Sequence, residues 1–323
     1  MAETLTQPLS RNAGSSFADY APTYGAAAAL VIIVLLNGFF TPNFADIDNF
    51  RNILVQVTPT MLVAIGMTFV IATGGIDLSV GSVMAVASAV AAISLEFGAL
   101  PAILLGLIAA VLLGAFNGWL IASFNIQPII VTLALLISGR GVAQVISNGG
   151  QLIPFSDPAF EFIGKGSVAS VPMPIILMTV IVGVAAFVLR ATIFGRYVLA
   201  VGGNERAAHL SGVSVVGTKI TVYALSGLLA GAAGLIYTAR LGASDASQVG
   251  LNIELDAIAA TVIGGTALSG GKSTVVGTVV GAFIMQVIST SFNMRGYSYP
   301  YSLVTKAFII LFVVYLQRTR SQG

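Results

Sequence analysis

The segment Phe194–Lys219, FGRYVLAVGGNERAAHLSGVSVVGTK, is the longest polar interruption in a chain that is otherwise mostly apolar. It carries Arg196, Arg206 and Lys219, and Arg190 lies just before it. Cationic connections between apolar segments are typical of the cytoplasmic side of a membrane protein. The whole connection, residues 193–219, is therefore predicted to be a long cytoplasmic loop.

A short helix is predicted inside this loop. Gly202 and Gly203 indicate a turn, and Asn204 is a residue type that favours a helix N-cap. Ala207, Ala208 and Leu210 would then form one small apolar face. A short ordered helix on the cytoplasmic face offers a surface that another protein can push on, and this is its predicted role.

The composition of the chain restricts the protein class. Of 323 residues, 57% are hydrophobic and 8% are charged, whereas soluble domains average about 25% charged residues. The net charge is only +2, and the basic residues are spread over several loops, so nucleic-acid binding is not expected. The chain has no cysteine and one histidine, His209, and no catalytic motif. We therefore expect a polytopic helical membrane protein that is not an enzyme and that holds neither metal nor cofactor.

Apolar runs predict about ten membrane spans, because one span needs about 20 apolar residues. They cover residues 24–40, 53–72, 78–95, 101–124, 127–146, 172–189, 220–241, 253–264, 273–292 and 301–316. The run at 253–264 is short, but counting it places both termini on the side of the 193–219 loop, as the positive-inside rule favours. The predicted organisation is a cytoplasmic tail at 1–23, a transmembrane domain at 24–317 and a cytoplasmic tail at 318–323.

The stretch TGGIDLSVGS, residues 73–82, interrupts an apolar region with two glycines, an acid and two serines. Irregular backbone at membrane depth persists only against protein or a water-filled cavity. Asp77 is costly there, which makes it a functional candidate; the alternative is a helix N-cap that accepts from amides near Val80. Candidate pathway residues are Asp77, Ser79, Ser82, Asn117 and Gln144. Hydrogen bonds between helices are the alternative role for such neutral polar groups.

A second irregular stretch, IELDAIAATVIGGTALSGGKST, covers residues 253–274. Glu254 and Asp256 open a short helix, where carboxylates suit the helix dipole. Their predicted role is capping and an external salt bridge, with the mouth of a pore as the alternative. TALSGGKS nearly matches a phosphate-binding loop, but Thr266 replaces its first glycine and a span follows directly, so a tight cytoplasmic turn is predicted instead.

Three pairs of glycines four residues apart, 114/118, 227/231 and 277/281, lie within predicted spans. Small residues at this spacing permit close packing of helices in membranes.

Three stretches together resemble the permease subunits of bacterial ABC importers for monosaccharides, the family of ribose, xylose and galactofuranose permeases. They are TGGIDLSVGS (73–82), FGRYVLAVGGNERAAHLSGV (194–213) and ELDAIAATVIGGTALSGGKSTVVGT (254–278), and the resemblance covers about residues 49–317. It implies an all-α fold similar to the vitamin B12 permease, in the inner membrane of a bacterium and surrounded by lipid.

The resemblance also implies partners and a contact site. The partners are a second permease copy or a paralogue, a cytoplasmic ABC ATPase that carries ATP and Mg²⁺, and a periplasmic sugar-binding protein. In that family, the loop after the sixth span carries a coupling helix, which corresponds to residues 203–212. The implied ATPase-coupling residues are Gly202, Gly203, Asn204, Glu205, Arg206, Leu210 and Gly212.

The expected function is therefore that of a permease subunit through which a monosaccharide enters the cytoplasm. One alternative is a secondary sugar transporter driven by an ion gradient, for which Asp77 would be the coupling acid. A membrane subunit without a pathway is disfavoured by the broken helices.

Overall fold

The computed structural model describes residues 14–320, so Arg11, the first part of the predicted N-terminal tail and residues 321–323 lie outside it. The helices are α1 (Gly14–Phe40), α2 (Ile47–Ala72), α3 (Val80–Ile93), α4 (Ala99–Phe124), α5 (Pro128–Ile146), α6 (Pro158–Lys165), α7 (Met173–Ala191), α8 (Ile193–Gly203), α9 (Glu205–Leu210), α10 (Val215–Leu241), α11 (Ile253–Ile263), α12 (Val275–Met294) and α13 (Tyr299–Arg320). A single 3-10 turn, Ser94–Phe97, extends α3. The prediction of an all-α polytopic membrane protein is confirmed.

Two-residue strands form two antiparallel pairs. β1 (Ile153–Pro154) pairs with β4 (Ala243–Ser244), and β2 (Ser167–Val168) pairs with β3 (Val171–Pro172). The connection from 147 to 171, predicted as a polar loop, also contains α6. Asp157 caps that helix by accepting from Ala159 N and Phe160 N, both at 2.9 Å.

Eight helices in the described part of the chain are long and apolar enough to cross a membrane: Pro22–Phe40, Ile47–Ala72, Val80–Phe97, Ala99–Phe124, Pro128–Ile146, Met173–Ala191, Val215–Leu241 and Val275–Met294. The short helix α11 and the 22-residue helix α13 are not among them. Adding both to the eight would give the ten spans that the sequence predicts.

Helix α2 occupies the centre of the bundle. Its most apolar window is 78% buried, against 22% for α4 and for α7. It packs against α7, α10, α11 and α12. A helix that is apolar all round belongs in the interior, whereas exposed side chains such as Leu104 and Leu112 on α4 suit contact with lipid or with another subunit.

Glycines allow the helices to approach until backbones touch. A Cβ atom on Gly114 would overlap Tyr223 O of α10, and one on Gly227 would overlap Ala110 O of α4. Cβ atoms on Gly277 and Gly281 would overlap the carbonyls of Gly264 and Ala260 at the end of α11. The predicted packing role of the three glycine pairs is confirmed.

One end of the bundle, called here the α9 side, is held together by contacts between distant segments. Thr23 Oγ1 at the start of the first span donates to Gly264 O at 3.0 Å. Gly271 N, in the turn after α11, donates to Ala72 O at the end of α2 at 3.0 Å. The start of the first span, the end of α2 and the end of α11 therefore share the side on which α9 lies.

The opposite end, called the far side, has its own cross-links. Arg295 Nε donates to Thr41 Oγ1 at 3.1 Å, and Arg51 donates to Ser170 O at 3.4 Å. The β1–β4 pair lies at the same end. The chain thus alternates between the two sides from α1 to α13.

We expect Gly277→Ala to lower the free energy of unfolding by about 1–3 kcal/mol, because the added methyl group overpacks the contact with Gly264. Gly183→Ala in α7 is the matched control, since its Cβ would have no atom within 4 Å. That control should be neutral or stabilising by about 0.5–1 kcal/mol, since alanine favours a helix interior over glycine. Thermal unfolding of the detergent-purified protein measures both, and equal midpoints would contradict the packing assignment.

Candidate functional site

The segment 193–219 is mostly helical, which corrects the prediction of a loop. It consists of α8, α9 and the first turn of α10. Thr192 caps α8 by accepting from Gly195 N at 3.2 Å. The predicted turn at Gly202–Gly203 is wrong, because both glycines are the last helical residues of α8. The chain turns instead at Asn204, whose backbone is extended.

Asn204 is the N-cap of α9, as predicted. Its side-chain oxygen accepts from Ala207 N at 2.9 Å. Ala208 is 5% exposed and packs with Val201 and Val213, whereas Leu210 is 80% exposed. Helix α9 is thus fixed to α8 through one small apolar contact, and its other face is open.

Six residues of the predicted coupling set are exposed on or beside α9: Gly203, Asn204, Glu205, Arg206, Leu210 and Gly212. Gly212 has φ +83, the left-handed conformation that lets the chain leave α9 toward α10. The backbone of Gly202, in contrast, faces the interior of the bundle.

Gly202 belongs to a meeting point of three segments that we call the glycine junction. The glycine junction consists of Gly74, Gly202, Gly203, Gly270 and Gly271. A Cβ on Gly202 would overlap Ala72 O and lie 2.6 Å from Gly271 N, and one on Gly270 would lie 2.9 Å from Gly74 N. The end of α8 therefore rests directly on the backbone of the end of α2 and of the turn after α11.

The turn at 266–274 is the predicted tight turn. Ala267 N donates to Lys272 O at 3.2 Å, and Gly270 and Gly271 have φ +81 and +75. Only glycine reaches this geometry without strain. The glycines of TALSGGKS thus serve the glycine junction.

Asp77 lies in the break between α2 and α3 and is 1% exposed. Its Oδ1 accepts from Ser79 N at 3.0 Å and from Ser79 Oγ at 2.6 Å, and its Oδ2 accepts from Ser226 Oγ of α10 at 2.8 Å. Asp77 thus accepts from the backbone amide next to Val80, as predicted, but the N-cap residue of α3 is Ser79, so the N-cap assignment is wrong. The carboxylate also joins the break to α10.

Three more of the predicted pathway residues belong to this network. Asn117 Nδ2 of α4 donates to Ser79 Oγ at 2.9 Å, and Ser82 Oγ donates to Leu135 O of α5 at 3.0 Å. Ser79, Ser82 and Asn117 are at most 1% exposed. The structure brings these residues and Asp77 together as a buried polar network among α3, α4, α5 and α10.

Gln144 is not part of that network. It lies near the far-side end of α5, half-buried, where its backbone oxygen accepts from Gly149 N and Gly150 N at 2.8 and 3.0 Å.

A cavity of about 270 Å³ opens on the α9 side beside the glycine junction. Gly74, Gly75, Asn125, Glu205, Lys219 and Tyr223 are among its lining residues. Lys219 Nζ pairs with Glu205 at 2.8 Å across its edge. The Tyr223 hydroxyl is buried next to Gly75 and has no hydrogen-bond partner in the described part of the chain. Sequence reasoning missed Tyr223, because nothing local connects it with residue 75.

The acids of the short helix α11 have separate roles. Asp256 pairs with Lys306 of α13 at 2.7 Å, a partner inside the bundle, not in an external loop. Glu254 is partly buried beside Gly81, and its Oε2 has no hydrogen-bond partner among the described residues. Both acids lie in the first turn of α11, where the helix dipole favours them as predicted, but neither is the N-cap residue, which is Asn252.

Known proteins that resemble the chain give its class. The family model described as a branched-chain amino acid transport system permease component matches residues 49–314. Curated relatives include the ribose import permease RbsC of Haemophilus influenzae, 42% identical over 88% of this chain and 90% of the relative. The RbsC protein of Bacillus subtilis is 41% identical over 92% and 93% of the two chains. The galactofuranose transporter permease YtfT of Escherichia coli is 40% identical over 90% and 88%. No solved structure matches the chain.

The bundle of membrane-spanning helices, its exposed α9 and these matches define a permease component of an ABC-type importer. The chain belongs to the family of transport-system permease components, and the ribose and galactofuranose permeases named above align with it over most of both chains. The predicted family is confirmed, and the ion-gradient alternative gains no support from the comparisons.

We expect Ser226→Ala to destabilise the protein by about 1–3 kcal/mol, because it leaves Asp77 Oδ2 buried without its donor. The matched control is Ser138→Ala, an exposed serine that bonds only within α5 to Ala134 O; it should change stability by less than about 0.5 kcal/mol. The midpoint of thermal unfolding in detergent is the measurement. Similar values for the two variants would show that the Asp77–Ser226 bond contributes little.

Proposed function

We propose that the chain is the permease subunit of an ATP-driven importer that carries a monosaccharide into the bacterial cytoplasm. The cytoplasmic ATPase docks on α9, and a periplasmic sugar-binding protein docks on the far side. The observation that carries this proposal is the exposed face of α9, which is fixed to the bundle through α8, the apolar contact of Ala208, the glycine junction and the Glu205–Lys219 ion pair. The relatives named for ribose and galactofuranose support a sugar as the substrate.

Charge supports placing the α9 side in the cytoplasm. The loops and helix ends of that side carry more cations than those of the far side: Arg190, Arg196, Arg206, Lys219, Lys272, Arg318 and Arg320, against Arg51, Lys165, Arg240 and Arg295. Lysine and arginine accumulate on the cytoplasmic side of membrane proteins. Since α1 and α13 both have their free ends on the α9 side, both termini are then cytoplasmic.

The energy for transport comes from outside this chain. ATP and Mg²⁺ bind to the partner ATPase, and the chain itself is a transport subunit without catalytic activity. ATP-driven closure of the ATPases displaces α9. Because Gly202 rests on Ala72 and Gly271 with no side chain between them, the displacement reaches the end of α2 and the turn after α11.

The buried polar network of Asp77, Ser79, Ser82 and Asn117 is the constriction of the pathway in this proposal. Its bonds join α3 to α4, α5 and α10, so separation of these helices breaks the bonds and exposes polar groups to the sugar. Gln144 contributes at the far-side end of α5. Weak, exchangeable hydrogen bonds suit a pathway, since tight binding would slow release.

The proposed assembly contains a second permease, either another copy or a paralogue. Helices α4, α5 and α7 offer apolar faces for such a contact, since each is less than one third buried in its most apolar window.

Reconstitution tests the proposed function. Proteoliposomes that contain the permease, the ATPase and the binding protein, with ATP enclosed, should accumulate radiolabelled D-ribose, D-galactose or D-allose. The permease alone should accumulate none of them. Accumulation by the permease alone on a proton or sodium gradient would contradict the proposal and favour a secondary transporter.

A single substitution tests the docking face. Leu210→Asp should weaken association with the ATPase by about tenfold or more, since an apolar anchor at an interface contributes about 2 kcal/mol. Leu152→Asp is the matched control, because Leu152 is 54% exposed on the far side.

Both variants should reach the membrane in equal amounts, and only Leu210→Asp should lose co-purification of the ATPase. Retention of the ATPase by Leu210→Asp would place the coupling contact elsewhere.

A further inference from the structure

A second, larger cavity lies in the far-side half of the bundle. It has a volume of about 510 Å³ and is lined by residues of α2, α10, α11, α12 and α13. Pockets that bind small molecules have volumes of about 300–1,000 Å³. Its polar lining includes Gln56, Tyr237, Arg240, Asp256, Gln286 and Lys306.

An ion pair stands at the wall of this far-side cavity. Lys306 Nζ donates to Asp256 Oδ1 at 3.0 Å and to Oδ2 at 2.7 Å, and the two side chains are 5% and 23% exposed. Charged groups within membrane spans are costly unless they are paired and face a bundle interior or a water-filled cavity. A mutually paired Lys306 and Asp256 therefore fit the lining of a water-filled cavity within the bundle.

The other polar groups provide a mixed set of donors and acceptors. Gln286 Nε2 of α12 donates to Gln56 Oε1 of α2 at 3.1 Å and also lies 3.1 Å from Thr290 Oγ1. Arg240 adds donors, and Tyr237 offers a partly exposed ring. Carboxylate and amide oxygens accept from hydroxyl groups, and ammonium and amide nitrogens donate to them. A neutral molecule with many hydroxyl groups suits such a lining better than an apolar molecule does.

Helix α10 connects the far-side cavity to the rest of the pathway. Tyr237 and Arg240 line the far-side cavity, Ser226 holds Asp77, and Lys219 and Tyr223 line the cavity on the α9 side. At 1.5 Å per residue, the stretch from 219 to 240 spans roughly 30 Å, about the thickness of the hydrocarbon core. One helix thus presents polar groups to two cavities with the closed network between them.

We propose that the far-side cavity is a transient binding station for a monosaccharide, occupied after release from the binding protein and before the constriction at Asp77 opens. The inference rests on the proposed function and adds the residues that meet the sugar. The charges of Lys306 and Asp256 cancel, so the cavity lining binds hydroxyl groups through hydrogen bonds and not through a net charge. Such binding is weak enough to release the sugar inward.

Cysteine protection tests the station, and the absence of cysteine in the natural chain makes each introduced cysteine unique. Ser289→Cys places a thiol in the far-side cavity, and Thr60→Cys places one on its opposite wall. Thr305→Cys is the matched control: it adjoins Lys306 in sequence but lines a different cavity, with Asn37 and Arg295. The probe is a sulfonated, membrane-impermeant methanethiosulfonate reagent, applied to the assembled complex with D-ribose, D-galactose or D-allose.

The sugar that the complex transports should slow labelling of Ser289→Cys and Thr60→Cys, by about tenfold at ten times its dissociation constant, since the free site is then a tenth as populated. Labelling of Thr305→Cys should not change. If the complex accumulates the sugar but neither cavity thiol is protected, the station is overturned and the proposed function stands. Protection by inorganic phosphate but not by sugar would also overturn it, by showing an anion site. If none of the sugars is accumulated, the proposed function itself fails.

Discussion

The direct contact of three backbones at the glycine junction is the constraint on which the proposed coupling depends. Any side chain at Gly202 would separate α8 from the carbonyl of Ala72 and from the turn at Gly271. Packed interfaces are bistable and do not deform continuously, so a junction without intervening side chains transmits a displacement with little loss. It links the three segments TGGIDLSVGS, VGGNERAAHL and TALSGGKS, which are far apart in the sequence.

Polar groups inside the bundle follow a second constraint, since hydrocarbon offers them no partners. The Asp77 carboxylate takes its hydrogen bonds from Ser79 and Ser226, and Lys306 takes Asp256 as its partner. The first set is closed and holds four helices together, whereas the second borders a cavity. In the proposed function, this difference makes the Asp77 network the constriction of the pathway and the cavity beside Lys306 its open compartment.

The sequence predicts local features of this fold well and distant contacts poorly. Span positions and the Asn204 cap follow from apolar runs and from one side chain bonding three residues ahead. The turn at Gly202–Gly203 is wrong because glycine serves both turns and close packing, and the packing partner Ala72 lies far away in sequence. The far-side cavity could not be predicted, because Gln56, Gln286 and Lys306 come from three separate spans. The sequence identifies Asp77, Ser79, Ser82 and Asn117 as candidate pathway residues. It does not show that they form one network, because their contacts depend on how α3, α4 and α5 pack.

The most direct test of the account is whether α9 and the turn after α11 move as one body. Pulsed EPR distances between spin labels at residues 210 and 269, and between labels at 210 and 125, can be compared in the assembled complex with and without a non-hydrolysable ATP analogue. Ser269 belongs to the turn beside Gly74, whereas Asn125 lies across the α9-side cavity. The account predicts that the 210–269 distance stays constant while the 210–125 distance changes. A change in the 210–269 distance as large as that in the 210–125 distance would contradict transmission through the glycine junction.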